Sequence, residues 1–248
     1  MRNIWTIAKR EYDYYFITPI AYIVSFVILL FLGFLFTLIV RSSAQSALSG
    51  YGSAPDVTFI NYWFAILLMF GCPALTMRLL AEETKTGTIE LLLTAPVRDY
   101  ELIIGKWFGS ILFIFTIMTA TLIYPIVLNK LVSPGIDWKL ALSSYVGIML
   151  VAASFLALGV GISAILSNQI AAFFVAFFIC LGLFIFIGWP ANFMPSGGEF
   201  FKYMAMGTHF NDAFNKGSIQ LSDLIYFFSL IALGLFSGTV AIETRRGN

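Results

Sequence analysis

Residues 140–166 read LALSSYVGIMLVAASFLALGVGISAIL, 27 consecutive positions without a charged side chain. A span needs roughly 20 apolar residues to cross about 30 Å of hydrocarbon, and this run exceeds that length. Five further stretches read the same way: 20–40, 59–80, 106–128, 170–188 and 224–242. Lipid offers no hydrogen bonds to a backbone, so each stretch is expected to be a helix. The fold class that follows is an all-α integral membrane protein with six transmembrane helices.

Composition agrees. Of 248 residues, 60% are hydrophobic and only 11% are charged. A soluble domain carries about 25% charged residues and leaves a large part of its surface in water. The net charge is +1 and no basic stripe is present, so nucleic acid is not an expected partner. Cys72 and Cys180 fall inside apolar runs and read as small buried hydrophobes, without disulfide or metal spacing. Residues 1–10 lack the apolar core of a signal peptide, so the first span is expected to be retained.

Arg2, Lys9, Arg10, Arg78, Lys85, Arg98, Lys106, Arg245 and Arg246 fall on one side of the spans, nine basic residues in all. Arg41, Lys130, Lys139, Lys202 and Lys216 fall on the other, five in all. That bias places both termini in the cytoplasm. Arg78 and Lys106 sit at span ends, where a long stem reaches the interface. Trp107, Trp138 and Trp189 sit there too, as interfacial anchors. Small residues recur four apart at Gly105 and Gly109, at Ala153, Ala157 and Gly161, at Ala172 and Ala176, and at Gly234 and Gly238. Such stripes let helix backbones approach closely, within this bundle or at a dimer seam.

Three segments do not span. In 4–16, Ile4, Trp5, Ala8, Tyr12, Tyr15 and Phe16 approximate one helical face, with Lys9, Arg10 and Asp13 off it. This is the pattern of an amphipathic helix lying on a membrane surface, broken by Thr18-Pro19 before the first span. The loop 81–100 reads AEETKTGTIELLLTAPVRDY. Its run from Ile89 to Leu93 is too short to cross lipid and too apolar to stand in water, so it must rest on lipid or on another protein. The third segment, 189–223, is long for a connection and rich in Phe, Tyr and Met. It is read as a re-entrant piece or a surface-lying loop on the external side.

Glu82-Glu83-Thr84-Lys85-Thr86-Gly87-Thr88-Ile89-Glu90-Leu91-Leu92-Leu93-Thr94-Ala95-Pro96-Val97 resembles the signature stretch of ABC type-2 permeases. It has the acidic pair, a basic residue, Gly-Thr, and an apolar run ending in Pro. Pro73-Ala74-Leu75-Thr76-Met77-Arg78 and Gly105-Lys106 fit as well, and the chain looks closest to the gliding-motility and nitrous-oxide-maturation type. The resemblance implies one transmembrane domain over 1–248. In it, 1–19 is a connecting helix, 81–100 a cytoplasmic coupling loop with its helix, and 189–223 an external loop.

The resemblance further implies a subunit paired with a second permease copy or a related permease in the inner membrane, above separate ABC ATPase subunits. ATP and Mg would reside on those ATPases, with no cofactor on this chain. An auxiliary membrane protein is a further expected partner. Glu82, Glu83, Gly87, Thr88, Glu90, Leu91, Leu92 and Leu93 would carry the mechanical link, and export would be the direction.

Other readings fit less well. No G-x-x-x-x-G-K-[ST] occurs, so the chain has no such phosphate cradle. A secondary transporter or channel is the alternative reading, and no span has a charge near its centre, which counts against proton coupling. The Glu82-Glu83 pair invites comparison with glutamate-type intramembrane proteases, but the basic residue of their motif is replaced by Gly87. Gly161-Ile162-Ser163-Ala164 resembles a rhomboid fragment, but His209 lies in the external loop rather than inside a span. Phe173, Phe174, Phe177 and Phe178 are either packing residues or a hydrophobic gate.

Overall fold

The computed structural model describes residues 2–49, 57–88, 97–132, 135–194 and 197–246. Its helices are α1 (Arg2–Tyr15), α2 (Pro19–Leu48), α3 (Val57–Thr76), α4 (Ala81–Lys85), α5 (Asp99–Thr121), α6 (Ile123–Leu131), α7 (Trp138–Ile165), α8 (Gln169–Leu181), α9 (Gly198–Met204) and α10 (Leu221–Arg246). No strand occurs among the described residues. Six stretches are long and apolar enough to cross a membrane: Pro19–Leu48, Val57–Lys85, Asp99–Leu131, Trp138–Ile165, Gln169–Ala191 and Leu221–Arg246. They coincide with the six spans read from the sequence.

Local chemistry sets the helix starts. Pro19 opens α2, where its missing N–H costs nothing. Asp137 caps α7 by accepting from the Lys139 and Leu140 amides at 2.9 and 3.4 Å. Asn168 does the same for Ile170 and Ala171 at the start of α8. The turn between these two spans, 166–168, is short, and Asn168 fixes its α8 side.

The spans are not equivalent. Within its most apolar window α7 is 78% buried, whereas α2 and the α8 span are each 22% buried. The axis of the bundle is thus α7, with α3 and α10 packed on it. Contact between α7 and α10 is backbone to backbone: a Cβ on Gly234 would lie 2.5 Å from the Ala157 carbonyl carbon. A Cβ on Gly161 would lie 2.5 Å from the Gly234 oxygen. These small-residue positions pack within the chain. Trp107 also turns inward, its indole N–H donating to the Ala153 carbonyl at 2.9 Å, while Trp138 and Trp189 stay exposed at span ends.

The described residues of 189–194 and 197–220 run as short elements: a 3-10 turn at Trp189–Asn192, α9, a π turn at His209–Ala213 and a 3-10 turn at Phe214–Lys216. Phe210 and Phe214 are fully buried in the main core. Ser143 of α7 donates to the Phe214 carbonyl at 3.0 Å, and Asn215 donates to the Thr58 carbonyl of α3 at 3.0 Å. Irregular backbone is sustained there because neighbouring helices satisfy it.

Candidate functional site: a charged lattice at the termini end

The amphipathic helix α1 does not use the whole face read from its sequence. Ala8, Glu11 and Tyr15, three and four residues apart, are buried, while Trp5 and Phe16 are exposed. The reason lies opposite, on α5. A Cβ on Gly109 would lie 2.7 Å from the Ala8 carbonyl oxygen, and one on Gly105 would lie 2.8 Å from the Ile7 side chain. These two glycines form a shallow notch that receives α1. Trp5 flanks the notch against Phe108, ring centres 6.3 Å apart, and faces outward.

Glu11 is buried because it has a partner. Lys106 of α5 is 1% exposed. Its Nζ lies 3.1 Å from Glu11 Oε1 and 2.7 Å from Glu83 Oε1 of α4. Arg10 adds a contact of 2.9 Å to Glu11 Oε1. Burial works against the Glu11 carboxylate, but Lys106 and Arg10, by charge and by hydrogen bond, outweigh it and hold its pKa below the ordinary value. Lys106 therefore does not reach the interface as its place at a span end suggested. A buried ammonium needs close anions, and it finds two.

Arg78 likewise turns inward. Its guanidinium donates to Thr18 Oγ1 at 2.6 Å and lies over the Tyr14 and Tyr15 rings at 4.9 and 5.5 Å. Tyr15 reaches further, with its hydroxyl 2.8 Å from Ser110 Oγ of α5. The corner between α1 and α2 is thus fastened to both α3 and α5.

Three spans hold α4. Ser163 Oγ of α7 accepts from the Leu80 and Ala81 amides at 3.1 Å each and donates to the Met77 carbonyl at 3.2 Å. Arg245 of α10 donates to Thr84 Oγ1 at 2.6 Å and to the Ile165 carbonyl at 3.1 Å. Lys106 of α5 holds Glu83. Next to α4, Arg246 pairs with Asp99 at 2.9 Å. After α4 the chain turns at Gly87, whose φ of +74° favours glycine. Thr88 Oγ1 donates to the Glu83 carbonyl at 3.4 Å, closing that turn.

Glu82, Glu83, Gly87 and Thr88 are therefore assembled at one end of the bundle. Glu90, Leu91, Leu92 and Leu93, with the rest of 89–96, lie outside the described residues. A cavity of about 230 Å³ opens between α1 and α4, lined by Glu11, Tyr14, Arg78, Glu82, Glu83 and Lys106. Glu83 Oε2 and Arg78 Nε are buried beside it, without a hydrogen-bond partner among the described residues.

Phe173, Phe174, Phe177 and Phe178 are elsewhere, on α8. They form a continuous ladder with neighbouring ring centres 5.3 to 6.4 Å apart. Phe177 reaches Phe70 of α3 at 4.5 Å, whereas Phe174 and Phe178 are 50% and 60% exposed.

Sequence reasoning missed Glu11, Arg78, Ser163 and Arg245 as members of the site. A signal existed for Glu11. It sits three after Ala8 and four before Tyr15, in the middle of the apolar face. An acid at such a place needs a cation, and Lys106 and Arg78 were the two basic residues set apart by their positions at span ends.

Residues 51–215, roughly two thirds of the chain, match the family model described as ABC-2 family transporter protein. Compared with curated proteins, the chain matches none. The matched region contains α4, its following turn and Lys106, so the core of the lattice lies inside it. The chain belongs to the ABC-2 family of transporter proteins.

Proposed function

We propose that the chain is the permease subunit of an ATP-binding-cassette exporter in the inner membrane, with both termini cytoplasmic. It couples ATP hydrolysis on a separate ATPase subunit to movement of a substrate, and carries no hydrolytic activity itself. The family match supports the permease reading. The observation that carries the coupling is the attachment of α4 to three spans at once, through Ser163, Arg245 and Lys106. A push on the loop that leaves α4 would reach α7, α10 and α5 through those contacts. A rigid element is what a force needs.

A second copy, or a related permease, completes the pathway. The open faces of α2 and α8 supply apolar surface for it, and the Phe173, Phe174, Phe177 and Phe178 ladder is proposed as the hydrophobic seal at that seam. Residues 189–223 are proposed to dip into the outer leaflet.

Replacing Leu92 by Asp tests the docking. If 89–93 seats on the ATPase, the new charge loses water at that contact, at a cost of several kcal/mol. Recovery of the ATPase in a pulldown at equal expression should then fall at least tenfold. Undiminished recovery means that the run only rests on lipid, and the coupling reading fails.

A further inference from the structure

The third span is interrupted near the end away from the termini. α5 ends at Thr121 and α6 begins at Ile123. Pro125 accounts for the break, because it has no N–H to give to the carbonyl four residues back. That carbonyl belongs to Thr121, and a side chain of α7 meets it instead. The Tyr145 hydroxyl donates to it at 3.1 Å and lies 3.2 Å from Thr121 Oγ1. Proline is tolerated inside a span where neighbouring side chains satisfy the freed backbone, and Tyr145 does so here.

Two more hydroxyls are engaged around the break. Thr121 Oγ1 donates to the Met118 carbonyl at 2.8 Å. The Tyr124 hydroxyl reaches α2 and donates to the Leu29 carbonyl at 3.0 Å. A hydroxyl has one hydrogen and two lone pairs. Thr121, Tyr124 and Tyr145 each give their hydrogen to Thr121 or to a backbone carbonyl, so toward any further group they act as acceptors.

Asn61 of α3 has the opposite need. It is 3% exposed, and its Nδ2 is buried with no hydrogen-bond partner among the described residues. A buried N–H left unpaired loses its hydration for nothing in return. Asn61, Thr121, Tyr124 and Tyr145 line one cavity, whose remaining walls include Leu32, Phe64 and Leu128. A donor thus stands on one side and acceptors on the other, beyond direct reach. Whatever joins them must accept one hydrogen and donate its own. No charged side chain lines the cavity among the described residues, so an ion has no counter-charge there. The space open to a guest is about 10 Å³. One water needs roughly 10–15 Å³ by that measure, together with two to four polar partners.

We propose that this cavity is a binding site for a single ordered water. The water accepts from Asn61 Nδ2 and donates to the hydroxyl oxygens of Tyr145 and Tyr124. It links α3 to α7 and to the Pro125 break. The interruption of the third span is then held from three sides: from α2 through Tyr124, from α7 through Tyr145, and from α3 through the water. The tie is polar but uncharged, and it lies inside the apolar bundle.

A crystal structure of the full chain in a lipid phase, at a resolution that shows waters, tests the site. One compact density peak should lie about 2.7–3.2 Å from Asn61 Nδ2 and from the two tyrosine hydroxyls. Asn61→Leu, close in size and without a donor, should lose the peak while Tyr145 keeps its contact with Thr121. Amide exchange at 122–128 of the same variant in lipid nanodiscs should rise about fivefold, the scale of one lost hydrogen bond. A cavity without density, or an elongated peak belonging to a lipid chain, overturns the water site. A peak that persists in Asn61→Leu, or exchange at 122–128 that does not change, overturns the tie.

Discussion

The two ends of the bundle both bury ionisable pairs, and they build them on different plans. Near the termini, Lys106 is shared between Glu11 and Glu83, so the tie has a second strand if one carboxylate is lost. At the other end His209 and Asp223 meet once, and the second oxygen of the carboxylate has no hydrogen-bond partner among the described residues. The first arrangement joins elements distant in sequence, α1, α4 and α5. The second fastens one local segment to the helix that follows it. Redundant charge makes a fixed plate that can carry force, whereas the outer segment is held by one buried pair, by the Tyr226–Met204 hydrogen bond and by apolar burial of Phe210.

The largest effect expected from this comparison is at Lys106. Lys106→Met keeps an unbranched apolar stem but leaves two carboxylates facing each other in a buried site. Removing one partner of a buried pair costs about 3–5 kcal/mol. The unfolding temperature in nanodiscs should drop clearly, and α1 should lose its amide protection. Glu83→Gln should be much milder, at about 1 kcal/mol, because Glu11 still holds the lysine. If Lys106→Met and Glu83→Gln are equally mild, the lattice is not what fixes this end.

Next in size is a test of whether the ends are joined. α10 carries Asp223 at one end and Arg245 and Arg246 at the other. Gly234 lies between them, where a side chain would collide with the α7 backbone at Ala157. Gly234→Leu should cost about 1–3 kcal/mol in overpacking, or more, since backbone cannot step aside. Amide protection should fall both near Thr84 and across 203–213. A loss confined to one end would show that the two sites are mechanically independent.

Much of this architecture is legible in the sequence, and the boundary of legibility has a physical cause. A span declares itself by composition, because lipid excludes charge over some 20 positions, and all six spans were readable that way. The small-residue stripes were visible as well, yet nothing in their spacing says which helix fills each notch. Gly105 and Gly109 receive α1 rather than another span, a fact that depends on three-dimensional approach. Lys106 and Arg78 misled for a related reason. Position at a span end is equally compatible with a stem reaching water and with a charge paired inward. Only the place of Glu11, across 95 residues of chain, separates the two. At the outer end, His209 drew notice as a lone histidine, but Asp223 lies 14 residues away beyond a chain of irregular turns that no periodicity reveals.

A smaller effect belongs to Arg78, the least redundant cation near the termini. Its value lies in shape: a planar group over Tyr14 and Tyr15 that also reaches Thr18. Lysine keeps the charge and loses the flat face and the fork. Arg78→Lys should therefore cost about 1–2 kcal/mol, since the cation stays and only part of a buried cation–π contact is lost. It should appear as a modest drop in unfolding temperature with ATPase recovery retained. A cost as large as that of Lys106→Met would make this corner, not the lattice, the main fastening of α1.

The smallest expected effect belongs to the end near the termini, and it is a matter of sign. Lys106 and Arg10 overcome burial and hold the Glu11 carboxyl below its ordinary value in the folded chain. A group whose folded pKa is depressed contributes fully above its unfolded pKa and loses that contribution as pH falls through the folded one. The hold of α1 on α5 should therefore be intact at neutral pH and weaken only in acid, below the ordinary carboxylate range. Amide exchange along α1, corrected for its intrinsic pH dependence, should show that acid step, and Glu11→Gln should abolish the step by lowering protection at neutral pH toward the level the wild type shows in acid. Glu83 shares the same lysine, so the step should be partial rather than complete. One sample carried from neutral pH into acid should thus loosen at α1 before the spans lose protection. If α1 and the spans instead loosen together, a general unfolding explains the step, and the Lys106 tie is not what holds α1.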